Sequence, residues 1–451
     1  MRFLEEKMVP LAAKIGSQRH LVAIRDAFII TMPMTIVGAI AVLINNIQVM
    51  FGPTGFNMPS VQNGYNSFIT STGIKDVMTA INKGSINMMA ILLVVALAYQ
   101  MAVGLEGDSI ATSVVTLTCY LGLVPAVQTL SKSYALVDST GSKLKAIDVI
   151  TSDIASGGIA ANKLDSNGMF VGMILSIIVA EIFVRLSRNE KLKITLPDGV
   201  PPAVAGSFTV LIPAILTVIL VVASGTIILK VTGLNLWEIV QKFVSAPLNN
   251  VADNLVTAII VPFLTLLLWT FGLHGANIVG AITTPIFTPM LLENTSAYEQ
   301  GLPQPNVIHG ANIFCYLGGS GCTIAFIIAT LLVGKVEAER KVVSISIAPG
   351  IFEINEPIIF GIPMVMNMVY MIPFVLGPVL CSAASYILMD LNVIERVCLS
   401  APWVTPPILK QFFATGGGIR ASVWTVIEII LLTLLWIPFI MISNKQAKEE
   451  N

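Results

Sequence analysis

Gly350-Ile351-Phe352-Glu353-Ile354-Asn355-Glu356-Pro357, continued by Ile358-Ile359-Phe360-Gly361-Ile362-Pro363, sets two acids and an amide inside an otherwise apolar run. Pro357 has no backbone N–H and turns the preceding residue away from helical geometry, so the chain leaves the helix at Glu356. Within hydrocarbon, non-helical backbone persists only where protein buries it or where it lines a cavity, because its N–H and C=O groups need partners. The stretch reads as a discontinuous segment of a membrane protein, with the Glu356 carboxylate and nearby free backbone groups turned toward a polar ligand. The competing reading makes Glu356 a helix cap or an interfacial residue. Glu353 either shares a face with Glu356 or serves as its structural partner.

The surrounding chain supports a bilayer as solvent. Of 451 residues, 55% are hydrophobic and only 11% charged, against about 25% charged in soluble proteins. The 25 basic and 26 acidic residues nearly cancel, which excludes a basic nucleic-acid binder. A mean hydropathy of +0.84 excludes a disordered or acidic tail protein. Spanning about 30 Å of hydrocarbon takes roughly 20 apolar residues in a helix, and uninterrupted candidates cover 27–47, 86–105, 109–130, 169–186, 207–229, 256–273, 313–334, 362–388 and 423–442. Three more apolar stretches are broken by proline: 275–292 by Pro285 and Pro289, 342–360 by Pro349 and Pro357, and 397–415 by Pro402, Pro406 and Pro407. Such broken segments mark substrate sites in transporters.

Lys and Arg collect in short cytoplasmic loops. Arg2, Lys7, Lys14, Arg19 and Arg25 place the N-terminus inside; Arg188, Lys191 and Lys193 follow after the fourth span. One extra crossing between 274 and 312 brings Lys335, Arg340, Lys341, Lys445 and Lys448 to the same side, giving ten crossings. The loop from 131 to 168, with Lys132, Lys143, Lys145 and Lys163, runs against the rule. The expected organisation is one unit: an interfacial amphipathic helix over 1–20 carrying Leu4, Met8, Leu11 and Ile15, N-terminal membrane helices over 21–255, a C-terminal binding part over 256–442, and a polar tail over 443–451. The fold class is thus all-α and polytopic, with re-entrant segments forming the site. Cys119, Cys315, Cys322, Cys381 and Cys398 lack metal spacing and read as small buried hydrophobes.

No Lys or Arg occurs from 243 to 334 or from 342 to 395, yet these regions hold His274, Glu353 and Glu356. An ionisable group at the bilayer centre costs on the order of 3 kcal/mol and normally faces a cavity or a partner. His274 lies between Gly272 and Gly275; a neutral imidazole both donates and accepts, as sugar hydroxyls require, although a lone His is often structural. Leu273-His274-Gly275-Ala276-Asn277 recurs as Ile308-His309-Gly310-Ala311-Asn312, and of the second copy Asn312 is favoured over His309. Trp403, in Ser400-Ala401-Pro402-Trp403-Val404-Thr405-Pro406-Pro407, offers either a flat face to a sugar ring or an interfacial anchor. Gly416-Gly417-Gly418 lacks the Lys-Ser/Thr of a P-loop, so nucleotide binding is unsupported, and no metal or cofactor motif is read.

GLHGA (272–276), LGGSG (317–321), GIFEINEPIIFGIP (350–363) and APWVTPP (401–407), in this order, resemble the lactose/cellobiose/diacetylchitobiose type of enzyme IIC, the permease of the bacterial phosphoenolpyruvate-dependent sugar phosphotransferase system. The resemblance runs essentially end to end. It implies a homodimer in the bacterial plasma membrane that takes up a β-linked disaccharide and presents it to a separate phosphocysteine protein, IIB, charged through IIA, HPr and enzyme I. It further implies that Glu356 binds the hydroxyl to be phosphorylated with His274 close by, and that Asn355, Asn312 and Trp403 contact the sugar. Glu353 departs from the family pattern, which tolerates a neutral polar residue there. No IIB or IIA domain is expected after Ile442. Two rivals predict different behaviour: a proton- or ion-coupled secondary sugar transporter, and an intramembrane hydrolase or transferase, the latter without an H-E-x-x-H or G-x-S-x-G motif.

Overall fold

A computed structural model describes residues 17–52, 58–125, 130–137, 143–151, 159–197, 201–362, 364 and 367–449, with isolated positions 10 and 14. The amphipathic helix expected over 1–20 falls almost wholly outside them, as do Pro363 and residues 198–200. Among the described residues the fold is helical apart from one antiparallel hairpin, Leu130–Val137 with Lys143–Thr151, inside the long loop where no strand was expected.

Among the described residues seven helical runs are long and apolar enough to cross a membrane: Arg19–Val49, Ile74–Gly104, Ser166–Ser187, Leu211–Thr232, Gly275–Glu299, Met368–Asp390 and Ile419–Glu449. The pair Leu236–Ala252 and Leu255–Thr270, bent by 78°, makes an eighth if counted as one span, and Ser109–Leu123 and Thr323–Val333 are shorter apolar helices. Polar side chains start several of these helices by accepting a first-turn N–H: Gln18 from Leu21, Asp108 from Ala111, Asn254 from Thr257 and Asn367 from Val369. Such a cap stabilises a helix by about 0.5–2 kcal/mol. The tail over 443–449 continues the last helix rather than leaving it.

The broken segments differ from the proline reading in two places. Residues 275–292 are not broken: Gly275–Glu299 is one helix that includes Pro285 and Pro289. Neighbouring helices and hydroxyl side chains satisfy the carbonyls that a proline frees, so proline alone does not stop a membrane helix. Residues 313–334 are not continuous: Ile308–Phe314 ends, a non-helical Cys315–Cys322 loop follows, and Thr323–Val333 resumes. Residues 342–360 do break, between Glu337–Ile351 and Glu356–Gly361, and 397–415 is irregular up to the short helix Leu409–Ala414.

Packing divides the chain into two compact units, residues 1–89 with 242–451, and residues 90–241. This cut differs from the linear boundary at 255/256, since the first long helix packs with the C-terminal part. In the smaller unit Tyr120 is fully buried, edge-on to Trp237 at 5.4 Å, and its hydroxyl donates to the Lys163 carbonyl. The larger unit has one core around Phe326, Tyr370, Phe374 and Trp436, with Phe326 edge-on to Trp436 at 5.0 Å, and a second around Phe287, Met290, Ile308, Phe314 and Met389. The second core holds the backs of the elements that build the site. All five cysteines are buried and free.

Candidate functional site

Two non-helical breaks dock on one another in the larger unit. Gly318, Gly319 and Gly321 have φ of 77°, 98° and 80°, left-handed values that glycine adopts freely. Gly319 N–H donates to Glu353 Oε2 at 3.2 Å, and Asn355 Nδ2 donates to the Ser320 carbonyl at 2.6 Å. A Cβ at Gly319 would lie 2.6 Å from Asn355 Cγ and 2.8 Å from the Glu353 carbonyl oxygen, so only glycine permits this approach. Glu353 itself takes φ 67°, a strained conformation for a non-glycine residue, held by these contacts. The LGGSG loop is therefore the seat of the 352–355 break.

Glu353 is also the partner of Lys410, with Nζ 3.5 Å from Oε2 and side-chain exposures of 11% and 3% for the lysine and the acid. Lys410 stands on the helix Leu409–Ala414, whose Gln411 accepts from Ile408 N–H at 2.9 Å and donates to the Ile313 carbonyl at 3.3 Å. Ile308–Phe314 lacks a side-chain cap of its own. Asp253, at the bend between Leu236–Ala252 and Leu255–Thr270, supplies one, accepting from Val307 N–H at 3.0 Å and Ile308 N–H at 2.8 Å. The same helix carries His309 and Asn312 one turn apart, on the same face.

Beside these docked breaks lies a cavity of about 420 Å3, lined by the helices Arg19–Asn46, Leu255–Thr270, Gly275–Glu299 and Ile308–Phe314, by Tyr316, by Ser400, Ala401 and Trp403, and by Lys410, but not by LGGSG or residues 352–355. Its volume falls within the roughly 300–1,000 Å3 of small-molecule sites. Its wall is largely apolar, with Phe28, Ile29, Met32, Val261, Phe287, Leu291, Ile313 and the ring of Trp403, and set into it are hydroxyls (Thr31, Thr35, Thr283, Thr284, Thr288, Tyr316), amides (Asn277, Asn312), His309 and the cations Arg25 and Lys410. Trp403 is 59% exposed, leaving most of its surface open to a ligand. Hydroxyl, amide and imidazole groups each donate and accept, which suits a polyhydroxylated ligand better than a purely apolar one.

Of the residues singled out from sequence, Asn312 and Trp403 line this cavity. His274 does not, although Ala276 and Asn277 beside it do. Its Nδ1 accepts from Asn277 N–H at 3.2 Å, capping Gly275–Glu299, and its ring lies 4.6 Å from that of Trp269. With Nδ1 as acceptor, the proton of a neutral ring sits on Nε2. Asn355 is buried and holds the LGGSG loop. Glu356 is exposed at the start of Glu356–Gly361 and is not on the cavity wall. Lys410, Tyr316 and the threonines were not picked out from sequence. The second pentapeptide copy did point to the helix holding His309 and Asn312, and the less favoured of the two, His309, lines the cavity as well.

Residues 25–378 match the family model for the phosphotransferase system, EIIC. The chain belongs to the EIIC family. It is 32% identical to the cellobiose-specific EIIC component of Geobacillus stearothermophilus, with 100% of this chain and 95% of the relative covered. It is 31% identical to the lichenan permease IIC component of Bacillus subtilis strain 168, again over 100% and 95%. Among solved structures, the transporter ChbC, the IIC component of the N,N'-diacetylchitobiose-specific phosphotransferase system, matches with a TM-score of 0.85 and 32% identity over 100% of both chains. This EIIC chain is accordingly a multi-pass sugar permease of the bacterial inner membrane that works with a IIB component. The two interlocked breaks and the cavity beside them lie within the matched region or just beyond it, Trp403 and Lys410 following its last residue.

Proposed function

We propose that this permease binds a β-linked disaccharide of the cellobiose, diacetylchitobiose or lactose type in the cavity around Asn312 and Trp403 and delivers it for phosphorylation by a separate IIB protein. The observation that carries this reading is the cavity wall, where a large aromatic face stands among hydroxyl and amide groups. An aromatic face covers the C–H side of a sugar ring while the amides and hydroxyls pair with its OH groups. The sugars named for the relatives, cellobiose and N,N'-diacetylchitobiose, support a β-linked pair of rings.

In this reading Glu356 orients the reacting hydroxyl and accepts its proton as the oxygen attacks the phosphorus of the IIB phosphocysteine and the S–P bond breaks. Glu356 is exposed, as a residue serving a reaction with an external donor must be in at least one state. His274, held by Trp269 and capping its own helix, is not on the cavity wall, and in this reading its Nε2–H reaches the sugar only when the binding elements move. Movement of the binding elements toward the cytoplasmic side brings the sugar to IIB, and the working form is a homodimer. The loop 187–204, with Arg188, Lys191 and Lys193, is the dock for IIB in this reading; Lys193 is paired with Glu190 at 2.6 Å and Arg188 donates to the Leu105 carbonyl.

The test is Glu356→Gln in membrane vesicles supplied with phosphorylated IIB. Phosphorylation-coupled uptake is expected to fall by about 10²–10⁴-fold, the usual contribution of a general base, while disaccharide affinity changes far less. Normal phosphorylation by the variant would remove Glu356 from this role.

A further inference from the structure

We propose that Lys410 is a specificity residue of the cavity, its ammonium contacting an anionic oxygen group carried by the bound sugar. The inference rests on the sugar-binding reading above and adds the chemical class of the substituent. Lys410 and Arg25 both stand on the cavity wall, whereas among the described residues no Asp or Glu does. Each cation has its acid behind it: Glu353 lies 3.5 Å from Lys410 Nζ and is 3% exposed, and Asp26 lies 2.7 Å from Arg25. Of each ion pair the cation lines the cavity and the acid does not.

An ammonium has three donors, and Glu353 engages Lys410 only at this long separation. Glu353 is also held by Gly319 N–H, in a left-handed backbone conformation that fixes its carboxylate behind the wall. A pair serving stability alone has no need to present its cation to a cavity. Lys410 lines the cavity with His309, whose buried Nδ1 has no partner among the described residues, and its one ion-pair contact, with Glu353, leaves donor capacity for a ligand there. In a partly dry cavity a charge acts more strongly than in water, so an anionic oxygen is favoured over a hydroxyl at this point. Two groups fit that chemistry: a ring carboxylate brought in with the sugar, or the phosphoryl group the sugar acquires.

The experiment measures Kd for the purified full-length chain at low salt with cellobiose, the corresponding glucuronyl-glucose disaccharide and cellobiose 6-phosphate. Wild type is expected to bind at least one anionic sugar roughly tenfold or more tighter than cellobiose, the scale of a hydrogen bond to a charged group, with the preference shrinking as salt rises. Removing Lys410 alone would strand the buried Glu353 charge and endanger folding. The decisive variant is therefore Glu353→Gln with Lys410→Gln, which keeps the pair neutral and hydrogen-bonded, its folding checked by thermal unfolding. In it the ratio of neutral to anionic Kd is expected to collapse to within about twofold, the expected loss of one charge-assisted contact. Preference for the uronate assigns the contact to an imported carboxylate; preference for the phosphate alone assigns it to the product. Cellobiose binding without any anionic preference, or a preference that survives in the double variant, overturns the role of Lys410 and leaves the sugar-binding reading standing. Failure of wild type to bind any of the three overturns both.

Discussion

Gly319 concentrates the physics of the site in one residue. Its φ of 98° and the 2.6 Å that a Cβ would leave to Asn355 Cγ make any side chain there incompatible with the docked breaks. Gly319→Ala is expected to cost about 1–3 kcal/mol from backbone strain alone, more with the clash, read as a lower unfolding temperature in detergent. Because Gly319 also donates to Glu353, the same variant should weaken sugar binding; full affinity with unchanged stability would show that the two breaks do not depend on one another. His274 separates two roles in a similar way. Loss of its cap in His274→Ala should cost about 1 kcal/mol, and if its Nε2 meets the sugar, affinity should fall as well. A stability loss with unaltered Kd would reduce His274 to the cap alone. Of the charged pair at this scale only Glu353 was visible in the sequence, as an acid in an apolar run. Lys410 escaped notice because its partner is remote in the chain, and nothing local to Leu409-Lys410-Gln411 signals a buried cation.

The elements teach how far proline and glycine can be trusted in a membrane chain. Pro357 follows a real break because the acid and the amide before it, Glu353 and Asn355, bond through their side chains to the LGGSG backbone and hold the irregular stretch there. Pro285 and Pro289 marked none, since the stretch of Gly275–Glu299 around them is packed on its neighbours, with Pro285, Phe287, Pro289 and Met290 buried. The opposite error arose at Cys315–Cys322, where an apolar average concealed a loop that needs three left-handed glycines. Helix Ile308–Phe314 is short and is capped only from outside, by Asp253. Asp253→Ala should therefore destabilise it by about 1–2 kcal/mol and loosen His309 and Asn312 on the cavity wall, seen as a several-fold weaker sugar Kd; unchanged binding would mean the helix is held by packing alone. In the smaller unit, Asp165 caps the turn before Met169–Ser187 through Asn167 N–H at 2.9 Å. Burial pushes its carboxyl above the ordinary Asp value, against the opposing pull of the Asn167 bonds and Lys163. The native state then holds this proton more tightly than the unfolded chain, so the associated stability is present below about pH 4 and is lost as pH rises through the raised value. Asp165→Asn keeps the acceptor and should remove that slope from a plot of unfolding temperature against pH.

At the scale of the whole molecule, membership of the EIIC family and the cavity chemistry make a joint statement about energy coupling. A neutral disaccharide can return through the permease, whereas a sugar phosphate carries about −1.5 to −2 charges at pH 7, by the second ionisation near 6 that phosphate monoesters share. Such a charge does not cross hydrocarbon unaided. Accumulation then follows from phosphorylation itself and requires no ion gradient. Right-side-out vesicles loaded with phosphoenolpyruvate and the soluble phosphotransferase proteins should accumulate phosphorylated disaccharide, and omission of IIB should leave only equilibration of free sugar. A proton uncoupler should not change the initial rate in the complete system. Uphill uptake that survives without IIB and collapses with the uncoupler would instead make Glu356 a proton carrier, and the exposed carboxylate beside Pro357 would then report on protonation rather than on a reacting hydroxyl.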